Sequence, residues 1–451
     1  MTDENKKFYK TLVVLCIPII IQNLISTLVN MVDTVMVGSL GEVSVAAIGI
    51  ANQYFFLFTM ALSGIIGGAG IFMAQFYGKG DRDSIKKVTA LSVIAALTLG
   101  LVFFVIAVIF PEVIIHFFSY DSAVVKEAKS YFLVIGFCYP IMAVAYIFSM
   151  GSRNVMNPRL GMICSSISLV VNIILNYVFI FGNFGAPALG VMGAAVATVI
   201  ARIIVFFLLI GYVYFIKDDY ELRFGFKDIR GITKDLVNTV VKKSAPTFLN
   251  DVTWAFGSVM YSVAYATAGT SAIAASQIAG TTGNFFVMTA NCIANGSAIM
   301  LGNELGANNI EKAIKYAKKF AVIITVAGAI LGMLLIISTP VLLKIFSVSD
   351  TLAPDLKKIF VIMGVMMALR TLNTFIVIGV LRSGGDTKYA LFLEMGCMWL
   401  ASIPITFFAA HKGVPIYMLV AFTYTEEIGK FIFGAPRALS KKWANNIVKD
   451  M

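Results

Sequence analysis

Twelve stretches of mainly apolar residues follow one another along the chain, each long enough to supply the ~20 residues that a helix needs to cross a bilayer at about 1.5 Å per residue. They lie at 11–37, 45–76, 88–110, 128–150, 160–182, 190–216, 239–266, 272–303, 317–339, 356–381, 389–410 and 414–434. The clearest breaks are the turn GKGDRD at 78–83, the charged segment 217–243, and the connectors PEVIIHFFSYDS and KIFSVSD. Only 13% of the residues are charged and 59% are hydrophobic, against roughly 25% and 45–50% in a soluble domain. A soluble core is excluded, and the pattern predicts an all-α integral membrane protein with twelve transmembrane helices.

The net charge is +11, which in a soluble chain would suggest nucleic acid as a partner. Placement argues against it. The segment before the first span, the loops after even-numbered spans and the tail, counted with the span ends beside them, hold 26 Lys and Arg, whereas the opposite loops and span ends hold six. That asymmetry places both termini in the cytoplasm of a multi-pass cell-membrane protein, with basic loops facing anionic lipid. The start, MTDENKKFYK, runs into the first apolar stretch without a small-residue cleavage site, so the first span is read as retained and not as a signal peptide. Cys16, Cys138, Cys164, Cys292 and Cys397 all fall in apolar stretches with no CxxC. They read as small core residues, with neither disulfides nor zinc.

The chain repeats itself. A shift of 228 positions lays residues 18–78 on 246–306 without a gap: Pro18 meets Pro246, Gly41 meets Gly269, Ala46-Ala47 meets Ala274-Ala275, and Gly78 meets Gly306. With one residue inserted, Arg153–Arg159 falls on Arg382–Lys388. Two halves of six spans each enter the membrane from the same side, which predicts two six-helix lobes related by a pseudo-twofold along the membrane normal. The expected layout is an N-terminal lobe over 1–216, a cytoplasmic linker over 217–238, a C-terminal lobe over 239–434 and a cytoplasmic tail over 435–451. Parallel repeats of this kind are a transporter architecture with the substrate site between the halves; a duplicated channel or scaffold is the plainer alternative.

Ionisable groups inside apolar spans cost about 2.5–3.5 kcal/mol each near a helix centre on insertion scales, so each asks for a reason. Asp33 shares one face of the first helix with Gln22, Ser26 and Asn30, and the fifth span repeats the pattern with Ser165, Ser168, Asn172 and Asn176. Two such stripes facing each other would surround one carboxylate with neutral oxygens, suited to a proton or to sodium. Pro18 gives the first helix a place to bend. The same count also allows Asp33 to be simply hydrated near the outer surface.

In the eighth span Gln277, Thr281, Asn284, Met288, Asn291 and Asn295 form another stripe. It would either line a substrate cleft, with Met288 as an adaptable apolar surface, or join helices. Asp251 is expected to pair with Arg370, and Lys430 with Glu426 or Glu427, as structural ion pairs. Gly64 and Gly68 read as a packing step. His116 and His411 are isolated, so no metal cluster is expected beyond a sodium at Asp33. No G-x-x-x-x-G-K-[ST] loop occurs, and no nucleophile with its base is evident. The chain is therefore read as neither an ATPase nor an enzyme, without cofactors, and driven by an ion gradient.

Several motifs together resemble the multidrug and toxin extrusion (MATE) family. They are Pro18 through Val-Asp33-Thr, Gly38-Ser-Leu-Gly41, Gln75-Phe-Tyr-Gly78, Asn172-Ile-Ile-Leu-Asn176, Leu189-Gly-Val-Met-Gly-Ala-Ala-Val-Ala-Thr198 and Arg382-Ser-Gly-Gly-Asp-Thr. The resemblance implies two lobes around a V-shaped cleft and export of cationic amphiphiles in exchange for protons or sodium, by a monomer among membrane lipids. It further implies the branch with its cation site in the N-terminal lobe, using Asp33, Asn172 and Thr198, with Pro18 as the bending proline. Asn176 stands where many members of that branch carry aspartate. A second branch places acids in the seventh and tenth spans; the tenth here has none. Flippases for lipid-linked saccharides share the general architecture but should line their cleft with basic residues, for which only Arg202, Arg370 and Lys430 are available.

Overall fold

A computed structural model of the chain describes residues 3–346 and 348–451, apart from the side chains of Asn30, Thr34 and Thr270. Among the described residues the regular structure is helical throughout, and the helices follow the apolar stretches. They are α1 (Asp3–Gly38), α2 (Glu42–Lys79), α3 (Arg82–Ile109), α4 (Ser122–Ile135 and Cys138–Asn154), α5 (Pro158–Phe181) and α6 (Val191–Ile216). The second set is α7 (Lys234–Thr267), α8 (Thr270–Gly306), α9 (Ile310–Ile345), α10 (Ala353–Arg382), α11 (Thr387–His411) and α12 (Ile416–Thr423 and Thr425–Leu439).

Nine of these helices are by themselves long and apolar enough to cross a membrane. The two parts of α4, bent by 51°, together make a tenth. The remaining two are α7, which carries Lys242, Lys243 and Asp251, and α12, which is broken into two short helices and carries Glu426, Glu427 and Lys430. Pro18 and Pro246 lie inside α1 and α7 at matched positions of the repeat, and each removes one backbone hydrogen bond from its helix.

The chain divides into two compact units. One runs to Met73 and resumes over Asp81–Val240; the other comprises Ala74–Gly80 and Val241–Met451. The first is packed around an aromatic cluster in which Phe58 and Tyr139 lie edge to face at 4.9 Å and Tyr54 donates a hydrogen bond to the Phe103 carbonyl at 3.0 Å. Lipid tails are as apolar as side chains, so close backbone approach at small residues does much of the work of joining helices. A Cβ at Gly193 would stand 2.3 Å from the Phe179 carbonyl, which brings α6 onto α5. In the second unit Gly332 lies the same way against the Gly364 carbonyl, joining α9 to α10.

The last turn of α2 belongs with the second unit, where it meets α8 in a reciprocal contact. A Cβ at Gly78 would fall 1.9 Å from the Asn303 carbonyl, and one at Gly306 would fall 1.8 Å from the Gln75 carbonyl. The repeat maps Gln75 onto Asn303 and Gly78 onto Gly306, so each helix presents the same glycine to the same position of its counterpart.

The segments outside the helices are more ordered than their polarity suggests. Within 217–238, Tyr220 and Leu222 are fully buried and Phe226–Arg230 forms a short helix. Asp219 pairs with Arg82 at 2.8 Å and Lys86 at 3.1 Å; the hydrogen bond from Lys86, reinforced by Arg82, holds its carboxyl below the usual carboxylate range. The tail also folds back. Trp443 and Val448 are buried. Gln75 donates to the carbonyls of Ser383 and Asn445 and accepts from Ile447 N–H at 2.9 Å, while Lys79 donates to the main-chain oxygens of Val448 and Met451.

Candidate ion-coupling site

Asn172 and Asn176 sit one turn apart on α5, so their amides leave the same face of the helix. Asn176 Nδ2 donates to Asp33 Oδ1 of α1 at 2.5 Å and lies 3.3 Å from Asn172 Oδ1. Asn172 Nδ2 in turn donates to Thr198 Oγ1 of α6 at 3.3 Å. A single hydrogen-bonded chain thus joins Thr198, Asn172, Asn176 and Asp33 across three helices. The two amides are sealed, at 1% and 0% exposure, whereas the carboxylate is partly exposed. Asp33 is therefore reachable while its partners are fixed.

Asn176 Oδ1 is buried without a hydrogen-bond partner. An acceptor left unmade in a dry interior costs about 1–3 kcal/mol, which a proton donor or a cation would relieve. A carboxylate with neutral amide and hydroxyl oxygens is the donor set for a hard cation, or for a proton on the carboxylate. Two further groups complete the surroundings: Arg202 of α6 and Tyr131 of α4 both lie close enough to Asp33 to interact with it electrostatically. Neither entered the expected set, although Arg202 is one turn beyond Thr198 on the same face of α6 and was legible from that spacing.

The stripe on α1 does not face one environment. Gln22 is buried, accepting from Arg153 Nη2 at 2.6 Å and donating to Ser149 Oγ at 3.1 Å and Ser165 Oγ at 3.2 Å. Ser26 is exposed and donates back to the Gln22 carbonyl. The side chain of Asn30 lies outside the described residues. Gly161 makes room for the Gln22 network, since a Cβ there would fall 2.8 Å from Gln22 Oε1. In α8, Gln277 and Asn284 are exposed while Met288 and Asn291 are half-buried, so that stripe is turned away from the packing of its own unit.

The second unit repeats one of these connections with different chemistry and rearranges the others. Asn250 and Glu394, which the repeat maps onto Gln22 and Ser165, are hydrogen-bonded. Arg382, the counterpart of Arg153, reaches Asp251 Oδ1 at 2.8 Å. This corrects the expected pairing of Asp251 with Arg370: spacing within the tenth span gave no sign that its terminal arginine would turn toward α7. Lys430 does pair with Glu426, and also lies 3.4 Å from Glu394. The position of Asp33 is taken here by Tyr261, whose hydroxyl lies 2.7 Å from both Ser402 Oγ and Glu426 Oε2. The five cysteines are buried thiols, and no metal-ligand cluster of His, Cys, Asp and Glu occurs among the described residues.

Comparison with known proteins bears on both the repeat and the architecture. The chain is 25% identical over 409 residues to a probable multidrug resistance protein, NorM, of Thermotoga maritima, covering 90% of this chain and 86% of that one. It is 26% identical to the multidrug resistance protein MdtK of Yersinia enterocolitica, over 88% and 86% of the two chains. Its fold matches an outward-facing multidrug resistance transporter of the MATE family with a TM-score of 0.85 at 18% identity, covering 96% of each chain. The Vibrio cholerae transporter VcmN in its bent form matches with a TM-score of 0.85 at 17% identity, over 98% and 100%. The MatE family model matches twice, at residues 18–178 and 246–408, and the two starts are the prolines that the repeat superposes. With both halves matched over most of their length, this multi-pass membrane chain belongs to the MatE family of transporters and is not an enzyme.

Proposed function

We propose that this transporter exports cationic amphiphilic compounds in exchange for H⁺ or Na⁺ by alternating access, with Asp33 as the coupling carboxylate in an N-terminal-lobe site. The observation that carries the reading is the partly exposed Asp33 bonded to the amide nitrogen of the sealed Asn176, whose amide oxygen has no hydrogen-bond partner. Relatives described as multidrug resistance proteins support the substrate class. Arriving at Asp33, a proton or sodium ion removes a charge that helices α1, α5 and α6 otherwise have to accommodate, and Pro18 lets α1 rebend as they repack. Asn172 and Thr198 orient Asn176. Ser26 and Asn30 of α1, with Gln277, Asn284, Met288 and Asn291 of α8, are the proposed substrate-facing positions; Gln22, expected among them, is instead taken up in the buried Arg153 network.

In this reading residues 1–216 and 239–434 act as the two lobes of a monomer embedded in lipid, with both termini cytoplasmic. Each charge crossing the membrane is worth about 2.3 kcal/mol per 100 mV. Exchange of one ion for one monovalent compound is electroneutral, so only the chemical gradient drives it. The test is export of a fluorescent organic cation from proteoliposomes under separately imposed proton and sodium gradients. Asp33→Asn is expected to abolish gradient-driven export while the protein stays monodisperse and folded. Equal export by both proteins would remove Asp33 from the mechanism.

A further inference from the structure

Four carboxyls and three cationic side chains are gathered within the second unit, between α7, α10, α11 and α12. Arg382 joins Asp251 at 2.8 Å and lies 3.8 Å from Glu394; Lys430 joins Glu394 and Glu426. Arg370 lies close enough to Tyr424, Glu427 and Glu426 to interact with each electrostatically. Fully ionised, the group would hold one negative charge in excess. An uncompensated charge inside a membrane span is costly, by about 2.5–3.5 kcal/mol even on insertion scales.

The ion pairs show where that excess lies. Asp251, Glu394 and Glu426 each have a cationic nitrogen within 4.0 Å, and among the described residues Glu427 has none. Its contact is Asn373 of α10, whose Nδ2 donates to Glu427 Oε2 at 2.8 Å and to the Glu427 carbonyl at 2.7 Å. Asn373 is only 2% exposed, and its Oδ1 has no hydrogen-bond partner. A primary amide and a protonated carboxylic acid are complementary: the amide donates to one carboxyl oxygen while the acid O–H donates to the amide oxygen. A carboxylate satisfies only the first half of that exchange. The charged and titratable groups that act on Glu427 are Lys430, Glu426 and Tyr424 on its own helix, Arg370 on α10 and Cys397 on α11; Tyr261 of α7 and Glu394 of α11 act on Glu426 and Lys430 beside it.

We infer that Glu427, paired with Asn373, is a second proton-binding site, holding its proton at neutral pH and sharing it with the amide oxygen. The site goes beyond the coupling reading for Asp33 and stands without it. Glu427 is partly exposed, so protons can exchange with it, and a proton there cancels the excess charge of the network at the one acid that no cation pairs within 4.0 Å among the described residues.

The test is infrared spectroscopy of the purified protein in lipid nanodiscs at neutral pH, following the carboxylic acid C=O stretch. Wild type and Asp33→Asn are expected to show a protonated-carboxyl band that Glu427→Gln lacks. Asn373→Leu is expected to move the band to higher frequency, because the hydrogen bond to the amide oxygen is lost. This second variant keeps the question open to refutation if Glu427→Gln does not fold. A band unaltered in both Glu427→Gln and Asn373→Leu would overturn the assignment. So would a band that sodium chloride, but not choline chloride, removes from the wild type, because the ligand would then be a metal cation. Loss of the band in Asp33→Asn alone would assign the proton to Asp33 instead.

Discussion

Asn176 Nδ2 donates to Asp33 Oδ1 at 2.5 Å, tying the C-terminal part of α5 to the far end of α1 through a side chain with no exposed surface. Hydrogen bonds to charged groups contribute about 1.5–3 kcal/mol, and 1.4 kcal/mol is about tenfold in affinity. Asn176→Ala is therefore expected to change the ion concentration for half-maximal export by at least roughly tenfold. Titrating proton and sodium gradients in proteoliposomes checks it, and a change of less than about twofold would show that Asn176 does not bear on the ion.

Asn176→Asp places a second carboxylate beside Asp33. Two acids in one pocket cannot both ionise easily, and one of them binds its proton more tightly. Export by this variant is expected to reach its half-maximum at a higher pH than in the wild type, and to bind sodium more tightly where sodium is the coupling ion. A pH profile identical to the wild type would mean that the two positions do not share an ion.

The Asp251–Arg382 pair is nearly buried, with side-chain exposures of 16% and 12%. Removing one partner of a buried pair costs about 3–5 kcal/mol, whereas replacing both by apolar groups is often neutral. Arg382→Met should lower the melting temperature markedly, and Asp251→Leu together with Arg382→Met should recover much of the loss. The recovery is expected to be incomplete because Arg382 also lies near Glu394. A double variant no more stable than the worse single one would show that the two residues are not coupled.

Gly78→Ala and Gly306→Ala each insert a methyl where a backbone carbonyl already sits. Neither carbonyl can rotate away, so the helix ends have to separate, and both variants should lose stability and yield. Gly49→Ala, with nothing within 4 Å of the added carbon, is the control and should behave as wild type in a fluorescence-detected melting assay.

Spans, the repeat and the polar face of α5 were legible in the sequence, because apolar runs of fixed length and i, i+4 spacing survive without knowledge of neighbours. The linking of Asp33 to Asn176 and of Asn172 to Thr198 follows from such faces once the helices are packed. Partners across helices were less accessible. Gln22 lies on the same face as Asp33 by angle, yet it is drawn into a buried network because Arg153 and two serines approach from α4 and α5. Asp251 has Arg370 and Arg382 on the same neighbouring helix, and only the side-chain directions separate them. The burial of Tyr220, Leu222 and Trp443 was hidden for another reason: they lie in polar segments where no periodicity marks a contact.

The docking of residues 443–451 on Gln75 and Lys79 bears on how the protein can be handled. A purification handle or fluorescent reporter spliced behind Met451 would hang from the oxygen that Lys79 holds at 2.7 Å, and a short, stiff junction there would tug on the end of α2. Reagents built on this chain should carry a pliant spacer at that position, and flux recorded from fusions lacking one should be compared with untagged material.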